Sequence, residues 1–438
     1  MRHVLVMALT SGIGLMAIFL VDVLSLLYVS RLGSEVKIAA VGFASTILFL
    51  AIASSIGFMI AISALVSRSI GAGDEVAARR MAASGIVWTA IVSAAIAIVL
   101  YLAKDAILTS LNAKGEAFTI ASAYLDFTLP SNILMSVGVA YSGILRAAGD
   151  AKRAMYVTLG GGIATAFIDP LMIFGLHFDV MGAAYSTVIA RLIFCLIGYH
   201  GAVMKLDLVA RPRMKDALQD LKPLMTIAVP AILTNLASPV GSAFLASTVA
   251  KFGDSAVAAG AVIDRVTPLA FGGMFALSGA IGPVLGQNWG AGLFERMRRT
   301  LRDAYVIGFI YVLLTWALLV LASGAIIQIF DLNSEAAHIV RVYCLVSGVG
   351  WLGLGALFVA NASFNNLGAP MRATLFNWGR ATLGTIPFAT WGAAHYGPLG
   401  AMMGVMVAAL LFGTVASFSA FAVLNKVVHG KLPQIRRG

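Results

Sequence analysis

The sequence predicts an all-α integral membrane protein of twelve transmembrane helices in two parallel six-helix repeats, and three observations carry that prediction. Composition is the first: 60% of the 438 residues are hydrophobic and 11% charged, with a mean hydropathy of +0.94, far outside the soluble range. The second is a series of apolar runs, each long enough to cross a bilayer, which takes about 20 residues. The third is an internal repeat. Ser69-Ile70-Gly71-Ala72-Gly73 with Arg79-Arg80 returns 219 residues later as Asn288-Trp289-Gly290-Ala291-Gly292 with Arg298-Arg299. Leu145-Arg146-Ala147-Ala148-Gly149 with Arg153 returns at the same offset as Phe364-Asn365-Asn366-Leu367-Gly368 with Arg372, and Tyr124 pairs with Tyr343. Segments held in one register over the length of each half mark a duplication.

In chain order, the first six runs are Val4 to Val29, Ile38 to Val66, Met81 to Ala103, Phe118 to Ile144, Met155 to Leu176 and Val180 to Met204. The second six are Leu224 to Val249, Ala256 to Leu285, Ala304 to Phe330, Ala336 to Ala360, Ala373 to Ala394 and Leu399 to Leu424. Each is read as a helix, because unpaired backbone in lipid is too costly and barrel strands would be shorter and alternate in polarity. The domains expected are residues 1–204, an N-terminal six-helix bundle; 205–223, a cytoplasmic linker with the amphipathic stretch Met214 to Leu221; and 224–438, a C-terminal six-helix bundle. Met1-Arg2-His3 and the long run after it, which contains Asp22 and no small-residue cleavage site, read as an uncleaved first span.

Orientation comes from Lys and Arg in the connections. Twenty-two of them, including the clusters at Arg79-Arg80, Arg211 to Lys222 and Arg296 to Arg302 and also Arg380, fall on one set of ends, against six on the other: Arg31, Lys37, Lys104, Lys114, Lys251 and Arg341. Both termini are therefore expected in the cytoplasm. Six crossings return each half to its starting side, so the halves are parallel repeats, with the substrate route between them. The net charge of +11 is segregated by loop rather than massed in a patch, which argues for topology and against nucleic-acid binding. Cys195 and Cys344 lie inside apolar runs and read as core thiols; the scattered histidines have no metal-ligand spacing. No metal site or cofactor is expected. No facing nucleophile and base suggests an enzyme.

The motifs carry a resemblance. Gly71-Ala72-Gly73-Asp74 with Arg79-Arg80, and Gln287-Asn288-Trp289-Gly290-Ala291-Gly292, are similar to the paired loops after spans 2 and 8 of the multidrug and toxic compound extrusion (MATE) transporters. Arg31-Leu32-Gly33 with Ala39-Ala40-Val41-Gly42, Leu145 to Asp150, and Ile168-Asp169-Pro170-Leu171-Met172-Ile173-Phe174-Gly175-Leu176 extend the likeness over nearly the whole chain. The major facilitators, the other family of two parallel six-span halves, carry a loop motif that Arg68 to Arg80 does not spell. The resemblance implies two bundles forming a V around a central cleft. It also implies secondary active efflux by alternating access: amphiphilic, often cationic compounds leave in exchange for protons. Sodium coupling, or flipping of a lipid-linked precursor with Arg191, Arg265 and Arg380 as the available bases, are the alternatives. A monomer in the cell inner membrane, in contact with lipid and a small-molecule substrate, is expected.

Few carboxylates lie inside the spans: Asp22, Asp169 and Asp264, with Asp126 nearer an outer interface. A mid-span carboxylate costs about 2.5 to 3.5 kcal/mol on insertion scales, and binding a proton relieves the cost. By resemblance Asp169 is the ion-coupling acid of span 5, with Thr187 in span 6 and Thr165 one turn before it. The family's span 1 aspartate falls on Ser25, and Asp22 stands about one turn earlier. The structural alternative for Asp169 is a cap on a helix starting at Pro170, and for Asp22 an interior packing role. Span 7 and span 10 lack the acids of sodium-coupled relatives. Asn235 and Asn361 are the nearest polar residues there and are expected to line the substrate cavity. Gly71 and Gly290 are expected in tight turns at positive φ, and the remaining glycines to serve close helix packing.

Overall fold

The structure is a computed structural model, and it describes residues 7–10, 12–14, 24–25, 27–29 and 31–430. The described chain is helical almost throughout, with ten helical stretches long and apolar enough to cross a membrane. Glu35–Gly71, Glu75–Ser110, Gly115–Ala147, Ala151–Gly175 and Asp179–Lys205 carry spans 2 to 6. Met214–Phe252, Asp254–Gly290, Phe294–Ile329 and Ser334–Asn366 carry spans 7 to 10. The last stretch, Pro370–Val428, is 59 residues long and supplies two spans, because Tyr396 and Gly397 leave helical geometry, Gly397 at φ 63°. Only glycine takes that conformation at low cost, and Pro398 follows to bar a continuous helix. That break falls between the apolar runs assigned to spans 11 and 12.

Contacts divide the chain into two compact units, one built on residues 13–232 and the other on residues 233–438 with the start of the chain. The division falls inside the helix Met214–Val249, in which the amphipathic stretch and span 7 are continuous.

In the first unit, small residues let helices approach closely, as expected where lipid gives no hydrophobic drive between spans. A Cβ on Gly85 of span 3 would meet Ile62 Cγ1 of span 2 at 2.5 Å, and one on Gly143 of span 4 would meet Met59 Cγ at 2.8 Å. Around Phe58, Ile62, Ile144 and Leu145 this close approach produces a core of Ala and β-branched side chains. The linker is fastened to the same unit. Arg79 pairs with Asp207 at 2.5 Å, Arg80 with the buried Asp220 at 3.3 Å, and Trp88 Nε1 donates to Ala217 O at 2.7 Å. In the second unit Arg298, the repeat partner of Arg79, donates to Asn425 Oδ1 at 3.0 Å just beyond span 12. The duplicated arginine thus makes the equivalent contact in each half.

The repeat is also visible in the backbone. Gly73 and Gly292 stand at φ 73° and 70°, and Gly149 and Gly368 at 85° and 76°. Asp74 N–H reaches back to Ser69 O at 3.0 Å, and Leu293 N–H to Asn288 O at 2.9 Å, so both loops close with the same helix-ending bond. This corrects the expectation for Gly71 and Gly290: each is the last residue of its helix, and the second glycine of each Gly-Ala-Gly makes the turn. Helix termination needs the left-handed residue just after the last turn, two positions later than the motif's first glycine. A second correction concerns Arg380. Expected among the cytoplasmic connections, it lies buried within span 11, which leaves twenty-one basic residues against six in the charge comparison.

Candidate functional site

Asp169 closes the helix Ala151–Pro170, and the chain continues without a break into the π-helical turn Leu171–Gly175. Pro170 has no N–H to give and its ring crowds the preceding turn, and the wider π turn begins directly after it. Asp169 is therefore no N-cap. Its side chain is 1% exposed inside the first unit, and it belongs to none of the ion pairs among the described residues.

Two neighbours supply hydroxyls. Ser25 of span 1 donates to Asp169 Oδ2. Eleven residues earlier in the chain, Gly14 packs against Thr158 so closely that a Cβ there would collide with Oγ1. Both pairs are separated by 144 residues, so the described residues of span 1 keep one register against span 5, and Tyr28 meets Phe174 edge-on at 6.3 Å. From the other side, Gly182 of span 6 sits on the π turn, where a Cβ would come within 2.7 Å of Met172 C. One helical turn on, Ser186 is fully buried, has no hydrogen-bond partner of its own and faces the Asp169 carboxyl group.

The remaining first-half candidates surround this pair less directly. Thr165 and Thr187 are half-buried and return their hydroxyl protons to their own helices, to Gly161 O at 3.1 Å and Ala183 O at 2.8 Å. Their lone pairs remain free to accept. Asp22 lies outside the described residues. Asp126 is paired with Lys104, and Asp264 and Arg265 are exposed on the second unit. Sequence reasoning missed Ser186. Its signal was slight, one serine next to Thr187, and helix phase rather than residue type separates the two. It also missed a buried network across spans 2, 3 and 4, in which Ser136 Oγ lies 2.6 Å from Ser55 Oγ and 2.7 Å from Ser93 Oγ, with Asn132 joining Ser93 at 3.3 Å.

The second unit holds the other two candidates. Asn361, 8% exposed, accepts from Asn377 Nδ2 at 3.0 Å, while Asn235 is half-buried and engaged. Chemically, the first-unit site offers one carboxylate, one donating hydroxyl and one unpaired hydroxyl in a dry setting. That set can hold a proton, or a small hard cation through oxygen.

Comparison with known proteins gives the geometry a context. A model of the MatE family matches residues 11–171 and again residues 230–391, so its two copies begin 219 residues apart, the offset of the internal repeat. The FAD transporter of Shewanella oneidensis is 25% identical over 436 residues, covering 97% of this chain and 95% of that protein. The multidrug export protein MepA of Staphylococcus haemolyticus is 22% identical over 429 residues, 96% and 93% of the two chains. Among solved structures, the Vibrio cholerae MATE transporter VcmN in the bent form superposes with a TM-score of 0.91 at 24% identity, covering 97% of each chain. An outward-facing multidrug resistance MATE transporter of the MOP superfamily superposes with a TM-score of 0.90 at 23% identity, over 97% of this chain and 96% of that one. Those likenesses establish the fold. With a family model covering most of both halves, the chain belongs to the MatE family of multi-pass membrane transporters.

Proposed function

We propose that this protein is a secondary antiporter that exports amphiphilic small molecules in exchange for protons by alternating access, with Asp169 as the coupling carboxyl group. The observation that supports the reading is the state of Asp169: buried, bonded by the Ser25 hydroxyl, faced by Ser186, and in no ion pair among the described residues. A carboxylate so placed is costly when ionised and is relieved by taking up a proton. Protonation replaces a charged acceptor with a neutral one and so weakens the Ser25 bond that ties span 1 to span 5. A change of charge at one residue thus becomes a change in how two helices are held, which is what coupling requires. Thr165, one turn before Asp169, and Thr187, next to Ser186 in span 6, are further hydroxyl oxygens on the two flanking helices, and Ser25 stands at the place of the family's span 1 acid.

Sodium is the second reading, favoured by the oxygen-only set around Asp169. The chain is taken to act as a monomer in the cell inner membrane with both termini cytoplasmic, on the basis of its basic connections. The similarity to multidrug export and FAD transporters supports a small-molecule cargo.

The test is transport in proteoliposomes of the full-length chain, with a panel of fluorescent amphiphiles driven first by a pH gradient and then by sodium. Wild type should respond to the pH gradient. Asp169→Asn, which fixes the neutral form at nearly constant size, should leave a folded protein and abolish the response. Full proton-driven exchange by Asp169→Asn, or a wild type that responds to sodium alone, overturns proton coupling at this site.

A further inference from the structure

The second unit carries a buried cation that nothing above uses. Span 11 runs as the helix Pro370–Gly379, passes through a π-helical turn Arg380–Gly384 and resumes at Thr385. Such turns break the regular ladder and often mark functional positions. Arg380 opens the turn. It is 8% exposed, its Nε has no partner, and its side-chain bond among the described residues is a long one, Nη2 to Ser238 Oγ at 3.4 Å. Thr385, one π turn on, donates its backbone N–H to Arg380 O, is 1% exposed, and leaves its hydroxyl unpaired.

No carboxylate answers this charge. Residues 224–249, 336–360 and 373–394, the apolar parts of spans 7, 10 and 11, contain no Asp or Glu, and Arg380 is absent from the ion pairs among the described residues. The contrast with Arg191 is informative. That residue is equally buried in the first unit, but its Nη1 is satisfied by Thr128 O at 2.6 Å and Ser131 Oγ at 2.9 Å. Arg191 is a strut between spans 4 and 6. Arg380 keeps an unpaired Nε and one long bond, and burying donors so poorly met costs on the order of a few kcal/mol unless something accepts from them. Ser238, its hydrogen-bond partner among the described residues, is exposed on the unit, as is Val240 beyond Pro239, so the guanidinium sits one side chain in from the surface. Asn377, three residues before it on the same helix, is buried and bonded to Asn361, which makes this face of span 11 polar, cationic and free of acids.

We propose that Arg380, with Thr385 and Ser238, receives an anionic group, a carboxylate or phosphate, carried by the molecule this transporter moves. An anion is acceptor-only and fits a site whose unpaired groups are donors, and a planar guanidinium is the side chain suited to carboxylate and phosphate oxygens. The two halves then divide the work: an acid in the first takes the coupling ion, and a base in the second takes the cargo's anionic group. The inference rests on the transport reading in taking its ligand to be the cargo, and it narrows that cargo to amphiphiles bearing an anionic group, zwitterions included.

Equilibrium binding tests it without any ion gradient, so the result is independent of what Asp169 couples to. The probes are rhodamine B, which has a free carboxylate, and its ethyl ester, which does not, read by fluorescence anisotropy on the purified full-length chain. Wild type should favour rhodamine B. Arg380→Gln should weaken rhodamine B roughly tenfold or more, as expected for losing a charged hydrogen bond, and leave the ester within about twofold; Arg380→Lys should keep part of the preference. On wild type, inorganic phosphate should displace rhodamine B and not the ester, an arm that stands even if a variant does not fold. Nanodiscs of phosphatidylcholine alone, and enriched in phosphatidylglycerol, separate the sources: a preference that survives anionic lipid assigns the anion to the cargo, and one erased by it assigns a lipid headgroup. Equal affinity of wild type for both dyes, or a preference unchanged in Arg380→Gln, overturns the proposal.

Discussion

Ser25 and Ser186 bring hydroxyls to one carboxyl group from two different spans, but they do so in different ways. Ser25 donates to Asp169, while Ser186 is buried without a bond of its own. A hydrogen bond to a charged acceptor is worth about 1.5–3 kcal/mol, so Ser25→Ala should change the exchange cycle more than Ser186→Ala does. The expected outcome is pH-driven exchange lowered about tenfold by Ser25→Ala, with Ser25→Thr retaining most of it and both proteins purifying in normal amount. An unchanged exchange rate for Ser25→Ala would remove span 1 from the coupling site. In the sequence the rarity of charge inside apolar runs left Asp22, Asp169 and Asp264 as candidates, and the likeness of Ile168 to Leu176 to the family's span 5 singled out Asp169. Its partners were not legible, because a serine in a membrane helix has no sequence mark to distinguish one that faces a carboxylate from one, like Ser54, that bonds back to its own helix at 2.7 Å.

At the scale of the element, the helices, their order and the repeat could be read directly, since apolar length and a fixed offset survive any uncertainty in helix phase. What could not be read were the places where helices depart from ideal geometry. The π turns at Leu171–Gly175 and Arg380–Gly384 aim Asp169 and Arg380, and no composition rule announces either. The repeated loops show the same limit, because the motif located the turn but not the residue that makes it. Gly73 and Gly292 hold positive φ in open space, so a side chain there meets backbone strain without steric clash. The left-handed conformation costs an L-residue about 1–2 kcal/mol, and more for a β-branched one. Gly73→Val and Gly292→Val should therefore each lower the melting temperature of the purified protein, whereas Gly71→Val, at a helical position, should lower it less. Melting curves in the reverse order would show that the first glycine is the structural one.

For the whole molecule, the testable consequence of the duplication is topology. With six crossings in each half, equivalent loops of the two halves are expected on one side of the membrane, and the excess of basic residues predicts that the Gly-Ala-Gly loops and both termini face the cytoplasm. The loops between spans 3 and 4 and between spans 9 and 10 should then face outside. Reporter positions have to be exposed as well as extramembranous. Ala113 is 5% exposed and a thiol there would be shielded, while Glu116 and Ser334 are open at the starts of spans 4 and 10. Cys195 and Cys344 must be removed first, the second of them buried and the first half-buried. In that background Glu116→Cys and Ser334→Cys should react with an impermeant thiol reagent added to intact cells. Arg213→Cys, in the fastened linker, should react after the membrane is opened and not before. The reverse pattern would invert the orientation, and labelling of Glu116→Cys and Ser334→Cys from opposite sides would break the parallel-repeat argument, because equivalent loops of two parallel halves cannot lie on different faces.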